Sequence, residues 1–285
     1  MSVPFSEPHR LSPSARLPLW GKRILITAPR NYASRLSQEI VEWGGLPILM
    51  PTIETCRLEN STALDRALQQ LDRFDWITFT SRNGIDATIE RLQQLGRSPS
   101  VLKTCRLCAI GRDAHRLEQL GISATIVPTE PSPQGIAIEL SRIDDIASQN
   151  ILVPVPEVVG IPEPDIVPKF IAALESFSTN VTRVAAYTTR KVLPQGSKIE
   201  LDLLRRGCID AIAFSSSAEI ESFARTIDAP QDFAGSAIAC FGPYTAASAK
   251  ALGMDVAIVA KDYSSFAGFA RSIAAFFTAA SDEKP

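Results

Sequence analysis

Residues 75–92 read DWITFTSRNGIDATIERL, and residues 210–224 read DAIAFSSSAEIESFA. Each begins with an acidic residue, continues as a short apolar strand, ends that strand in small hydroxyl residues and passes at once into an amphipathic helix. A short apolar run followed by apolar positions three and four apart is the pattern of a buried strand feeding a surface helix. Such a turn leaves hydroxyls and free backbone N–H groups facing one space, an arrangement that suits an anion.

The two stretches open a longer repeat. LCAIGRDAHRLEQLGISATIVPTEPSPQGIAIEL follows the first and IACFGPYTAASAKALGMDVAIVAKDYSSFAGFARSI the second, each reading strand, Gly, helix, Gly, strand, helix. Gly111 answers Gly242 and Gly121 answers Gly253, and the paired units are offset by 131 to 135 residues. Before them RILIT, NYASRLSQEIVEW and LPILM form a β-α-β unit; WITFT, ATIVP, ILVPV, VTRVAAY and VAIV supply further strands. Alternating strands and helices with short connections predict two similar doubly wound α/β domains with parallel sheets. In such sheets ligands bind beyond the carboxyl ends of the strands. Gly111 and Gly242 end strands at helix mouths, where a missing side chain lets a ligand approach the backbone. Ser216 with Glu219 forms a capping box, and Asn83 reads as the N-cap of the helix carrying Ile85, Ile89 and Leu92.

Composition narrows the function. The 285 residues are 45% apolar and 21% charged with a formal net charge of −2, so there is no basic field of the kind duplex nucleic acid requires. The five cysteines are scattered, which suggests a reducing, cytoplasmic setting. Cys105 and Cys108 form a C-x-x-C inside a strand, where residues three apart point to opposite faces, so neither a redox pair nor a metal site is expected. Residues 1–19 are Ser- and Pro-rich and read as a disordered tail, and no apolar run is long enough for a membrane helix.

Dinucleotide, P-loop and esterase glycine motifs are absent, and the two histidines, His9 and His115, offer neither a metal cluster nor a triad. Neither a metal nor a cofactor is expected. Asp144 with Asp145, and Glu163 with Asp165, read as solvated loop residues. What remains is Ser, Thr, Gly and Arg at strand ends, a profile that fits a large anionic ligand whose own reactivity does most of the chemistry.

The ordered set FTSRNGIDA, AIGRDAHRLEQLG, VAAYTTR, AFSSSAEIESFA and FGPYTAASAKALG, spread over Lys22 to Ile273, resembles the uroporphyrinogen-III synthase family. That resemblance implies a bilobal fold in which the second domain is inserted into the first. Residues 20–50 and 189–278 would form one domain and 60–178 the other, joined through extended strands at 51–59 and 179–188. It implies a monomeric lyase that converts hydroxymethylbilane, a linear tetrapyrrole with eight carboxylates, to uroporphyrinogen III, losing water and inverting ring D through a spiro intermediate. Transient contact with the enzyme that makes this unstable substrate is compatible with the reading.

The resemblance further implies that Tyr187 hydrogen-bonds the departing hydroxyl as a weak acid of pKa about 10. Thr80, Ser81, Arg82, Asn83 and Gly111 in one lobe, and Ser215, Ser216, Gly242, Tyr244 and Thr245 in the other, would bind the acetate and propionate groups. Arg30 and Arg112, each just after a strand, would add charged clamps. Two positions depart from the family pattern. Ala114 stands where Thr245 keeps a threonine after the glycine turn, and PVPEVVGIPEPDIVP lacks the basic residue common in that segment. These departures leave open a non-catalytic tetrapyrrole-binding module of the same fold. The β-α-β units alone would also allow a sugar-nucleotide transferase.

Overall fold

The structure, a computed structural model, describes residues 17–192 and 196–282, with side chains through residue 279. In chain order the strands are β1 (Arg23–Ile26), β2 (Leu46–Leu49), β3 (Ile53–Cys56), β4 (Trp76–Phe79), β5 (Arg106–Ala109), β6 (Asn150–Val159), β7 (Asn180–Lys191), β8 (Ala211–Phe214), β9 (Ala237–Cys240) and β10 (Val256–Val259). The helices are α1 (Arg30–Glu42), α2 (Thr62–Gln69), α3 (Arg82–Gln94), α4 (Ala114–Glu118), α5 (Pro133–Leu140), α6 (Ile166–Glu175), α7 (Lys198–Arg205), α8 (Ser217–Ala224), α9 (Pro243–Ala251) and α10 (Phe266–Asp282).

They build two sheets of five strands, ordered β10-β9-β8-β1-β2 in one lobe and β5-β4-β6-β7-β3 in the other. Every pairing is parallel except β3 with β7. The central strands β4 and β8 are buried at all four positions, as expected where helices cover both faces. Alternation then sorts the side chains. Leu25 joins the core on one face of its sheet while Ile24 and Ile26 join the other, and Cys108 is likewise separated from Leu107 and Ala109. Each fully buried Leu, Ile or Phe contributes roughly 1.5–3 kcal/mol. Cys105 and Cys108 lie in separate cores and are not a pair.

The acidic residue that leads each repeat has a structural task. Asp75 accepts the Asn150 N–H at 2.8 Å, and Asp210 accepts the Arg23 N–H at 2.8 Å and the Lys22 ammonium at 3.0 Å. Both carboxylates thus tie the start of a neighbouring strand to the sheet centre.

Three sequence expectations change. ATIVP is not a strand: only Ile126 bridges to Cys108. The Thr125 hydroxyl takes the Leu107 N–H at 3.2 Å where a ladder would continue, and Pro128 has no N–H to offer. Of the expected disordered tail, residues 1–16 lie outside the described residues, but Leu19 is fully buried and its N–H donates to the Trp43 carbonyl at 3.0 Å. The connector gains a strand. The last four residues of β7 pair antiparallel with β3, and β6 follows β7 through the same region, pairing Glu157 to Val159 with Thr188 to Arg190. Among the described residues no helix is long and apolar enough to cross a membrane.

Candidate functional site

The first turn of the repeat sits where β4 hands over to α3. Ser81 is extended (φ −162°) and its hydroxyl accepts the Gly84 N–H at 3.2 Å, so Ser81, not Asn83, caps the helix. The helix therefore begins earlier than expected, which releases the Asn83 side chain. Its Oδ1 accepts from the Tyr32 hydroxyl at 3.0 Å, a bond between the two lobes. The Ser81 hydroxyl lies 3.1 Å from that of Tyr187 on β7.

The second turn, between β8 and α8, looks alike in sequence and differs in chemistry. Ser216 caps α8 as expected, accepting the Glu219 N–H at 3.4 Å. The Glu219 carboxylate turns back into the protein, 1% exposed. It accepts from the Ser215 N–H at 2.9 Å, from the Ser215 and Ser216 hydroxyls at 2.5 and 3.0 Å, and from Thr27 at 2.8 Å. At the matching position of the other lobe stands Gly84, whose absent Cβ would lie 3.3 Å from the Pro154 carbonyl of β6. The donors of one turn are therefore already satisfied by the internal Glu219 carboxyl group, whereas the other turn has a glycine at that position.

A cleft of about 380 Å³ runs between the lobes at the carboxyl ends of the strands. Its lining unites Thr80, Ser81, Arg82, Asn83, Gly111, Arg112 and Tyr187 with Ser215, Ser216, Gly242, Tyr244 and Thr245. Arg30 is not among the lining residues. It is exposed and borders a separate hollow with Pro51 and Glu54, while Tyr32 and Arg35 of the same helix enter the cleft. Steps of 100° per residue place Arg30 roughly 200° from Tyr32, on the opposite face, and Arg35 beside it.

The glycines also act differently from expectation. At Gly242, which is extended, a Cβ would stand 3.1 Å from the Tyr263 side chain, so the residue making the close approach is Tyr263. Gly111 adopts φ +49°, a conformation that L side chains avoid, and turns the chain sharply into a short 3-10 segment before α4. Ala114 is buried in the lobe core, and its neighbour Asp113 faces the cleft instead.

Sequence reading missed Tyr32, Arg35, Asp113, Ser132, Tyr263 and Ser265. A signal existed for two of these. Ser132 and Ser265 stand three residues before Gly135 and Gly268, and their hydroxyls accept those N–H groups at 2.9 and 3.1 Å, repeating the Ser81 to Gly84 cap. The N-termini of α3, α5, α8, α9 and α10 thus all border the cleft, and their partial positive charge favours anionic groups there. Glu163 also lines it, and is ion-paired to Arg183 instead of merely solvated. Across the opening, the Tyr244 hydroxyl donates to Glu130 at 2.6 Å, a second bond between lobes.

Electrostatics separates the titratable groups. Burial pushes Tyr187 up to about 12, against the hydrogen bond from Ser81, and burial raises Tyr32 further still. Both phenols stay neutral donors at physiological pH. Burial pushes Asp113 up to about 6, opposed by Arg82 and Arg35. Glu219 is raised as well by burial, despite its four donors.

The model of the family described as Uroporphyrinogen-III synthase HemD matches residues 34–270. A uroporphyrinogen-III synthase of Synechococcus elongatus is 28% identical over 258 residues, covering 87% of this chain and 93% of the relative. One of Chlorobaculum parvum is 24% identical over 257 residues, covering 89% and 98%. A solved structure of a mutant uroporphyrinogen III synthase from the extremely thermophilic bacterium Thermus thermophilus superposes with a TM-score of 0.60 at 18% identity, covering 88% of this chain and 98% of that one, a likeness of fold.

Proposed function

The chain belongs to the uroporphyrinogen-III synthase family, and from that premise we propose that it closes hydroxymethylbilane to uroporphyrinogen III, with loss of water and inversion of ring D. The observation that carries the reading is the convergence of strand-end hydroxyls, helix N-termini and the arginines Arg35, Arg82 and Arg112 on one interlobe cleft. A substrate with eight carboxylates needs many separate local donors, which this rim supplies without a high net charge.

The pyrrole nitrogen's lone pair expels the hydroxyl, so the work left to the protein is to hold the two ends of the bilane together. Ring D must be met at its substituted carbon, forming the spiro intermediate. The two turns divide this task unequally. With Glu219 occupying the Ser215 and Ser216 donors, the substrate carboxylates are held mainly by α3, Arg82 and Arg112 of the inserted lobe. The other lobe contributes the open start of α9, while the start of α10 already holds the Asp262 carboxylate against Ser264 and Ser265. Tyr187, a neutral phenol tied to Ser81, hydrogen-bonds the hydroxymethyl oxygen and fixes its direction. The enzyme acts as a monomer in the cytoplasm, meeting its supplier enzyme transiently.

Incubation with freshly made hydroxymethylbilane, followed by oxidation and separation of uroporphyrin isomers, tests this directly. Type III is expected to predominate; type I alone, the unassisted product, would leave a tetrapyrrole-binding module. Tyr187→Phe combined with Ser81→Ala is expected to raise the type I fraction and slow turnover roughly tenfold, about 1.4 kcal/mol of lost orientation. An unchanged isomer ratio and rate in that variant would remove both residues from the site.

A further inference from the structure

Among the described residues three carboxyl groups line the cleft, and two of them are committed. Glu163 is held by Arg183, and Glu219 is sealed behind four donors. The third, Asp113, follows the left-handed turn at Gly111 and faces the start of α3, where the Arg82 backbone and side chain favour its carboxylate form. It sits beside Tyr32 and Tyr187, whose phenols its charge helps keep protonated. The reaction must deliver a proton to a leaving hydroxyl at the same place, and a phenol at about 12 is a poor source of one.

Resting on the lyase reading above, we propose that Asp113 is the acid that protonates the departing hydroxyl and the base that takes up the proton released on ring closure. Asp113 transfers its proton to the hydroxymethyl oxygen as the C–O bond breaks with both electrons going to oxygen. Water leaves, and a pyrrole-stabilised cation and the Asp113 carboxylate remain as an ion pair. After spiro formation, fragmentation and reclosure, ring D carries one extra C–H proton. That proton returns to Asp113 as the pyrrole regains aromaticity, so one proton leaves and one comes back with no change of oxidation state.

The surroundings suit a group that must be neutral at the start and charged in between. Arg82 from α3 and Arg35 from α1 face Asp113 and favour the carboxylate, while burial and Asp86 of α3 favour the acid. Tyr32 from α1, whose hydroxyl donates to Asn83, and Tyr187 from β7, paired with Ser81, are the neutral phenols near it. Substrate carboxylates that engage Arg82 and Arg35 weaken the first influence and add negative charge, so binding itself shifts Asp113 toward the protonated form that the first step needs.

The test is the pH dependence of turnover in wild type, Asp113→Asn and Asp113→Glu, with the uncatalysed closure subtracted. For wild type, kcat/KM should fall as pH rises past about 6, the free-enzyme value, with the kcat limb displaced upward. Asp113→Asn should lose about 10²-fold in kcat and lose the limb, while its residual product stays mainly type III. Asp113→Glu should restore part of the rate together with the limb. Folding is checked by thermal melting at pH 8. There the raised folded value of wild type is an unfavourable contribution that asparagine removes, so Asp113→Asn should melt no lower than wild type. Asp113→Asn turning over within about threefold of wild type with the limb intact overturns the assignment while leaving the lyase standing. Type I product from wild type itself overturns both.

Discussion

Alanine at Gly268, or at Gly135 in the other lobe, is expected to destabilise the protein by at least about 3 kcal/mol, the upper range for overpacking, which lowers the melting midpoint by roughly 10 °C. A Cβ at Gly268 would stand 2.2 Å from the Asp262 carbonyl oxygen, and one at Gly135 would stand 2.1 Å from that of Glu130. Both obstacles are backbone, so no rotamer change relieves them. Retreat of the helix is also blocked, because each glycine N–H is the donor that Ser265 or Ser132 accepts at the helix cap. Gly235 provides the comparison: nothing lies within 4 Å of its would-be Cβ, and alanine there should change stability by less than about 0.5 kcal/mol. Calorimetry on the three variants checks the contrast. A loss below about 1 kcal/mol at both Gly135 and Gly268 would show that the two turns are not as tight as described.

Removing the Glu219 carboxylate should be comparably severe. Glu219→Ala leaves the Ser215 N–H and the Ser215 and Ser216 hydroxyls without their shared acceptor, while Thr27 keeps the Ala213 carbonyl, a loss of about 3–4 kcal/mol, in the range for breaking buried charge-assisted contacts. Glu219→Gln keeps one oxygen and the volume, and should cost less, about 1–2 kcal/mol. The two forms also respond differently to pH. Burial raises the folded value of Glu219 above its ordinary 4.5, so the folded protein holds this proton to higher pH than the unfolded chain. Its favourable contribution is full below the unfolded value and declines as pH rises through the folded one. Glutamine does not titrate, and the stability gap between wild type and Glu219→Gln should therefore narrow with rising pH in denaturant titrations. A gap that widens instead would mean that the four donors outweigh burial.

The strand, hydroxyl and helix order was legible because a continuous apolar run gives way abruptly to a 3.6-residue period at Thr80 and Ser215, and because small hydroxyl residues mark the border. Convergence of the repeated turns followed from topology, since parallel strands present their carboxyl ends on one side. Less was readable wherever a second element decides the outcome. Arg30 follows a strand as Arg112 does, but helix rotation carries it away from the cleft and brings Tyr32 and Arg35 in. Asn83 is a sound capping residue by type, yet Ser81 takes that role because its extended backbone comes first. Glu219 was correctly matched to Ser216. Its larger effect depends on Thr27, a residue 192 positions earlier in the chain, and could not be read locally. Nothing local in the sequence marks Asp113; the Gly111 turn and the start of α3 create its setting.

The pairing of β1 with β8 brings Ile24 against Ala211, with the whole inserted lobe made in between. During synthesis the first lobe consequently cannot close around its own opening β-α-β unit until the chain has run on through the inserted lobe to β8. The inserted lobe, whose parallel strands β4, β5, β6 and β7 are complete by Lys191, has all its partners sooner. Long-range closure is the slow step in chains of this kind. Assembly should accordingly run from the middle of the sequence outward. Pulsed hydrogen exchange during refolding should find the amides of β4 and β6 protected before those of β1 and β8, so that the part of the protein translated first is the part whose structure is finished last.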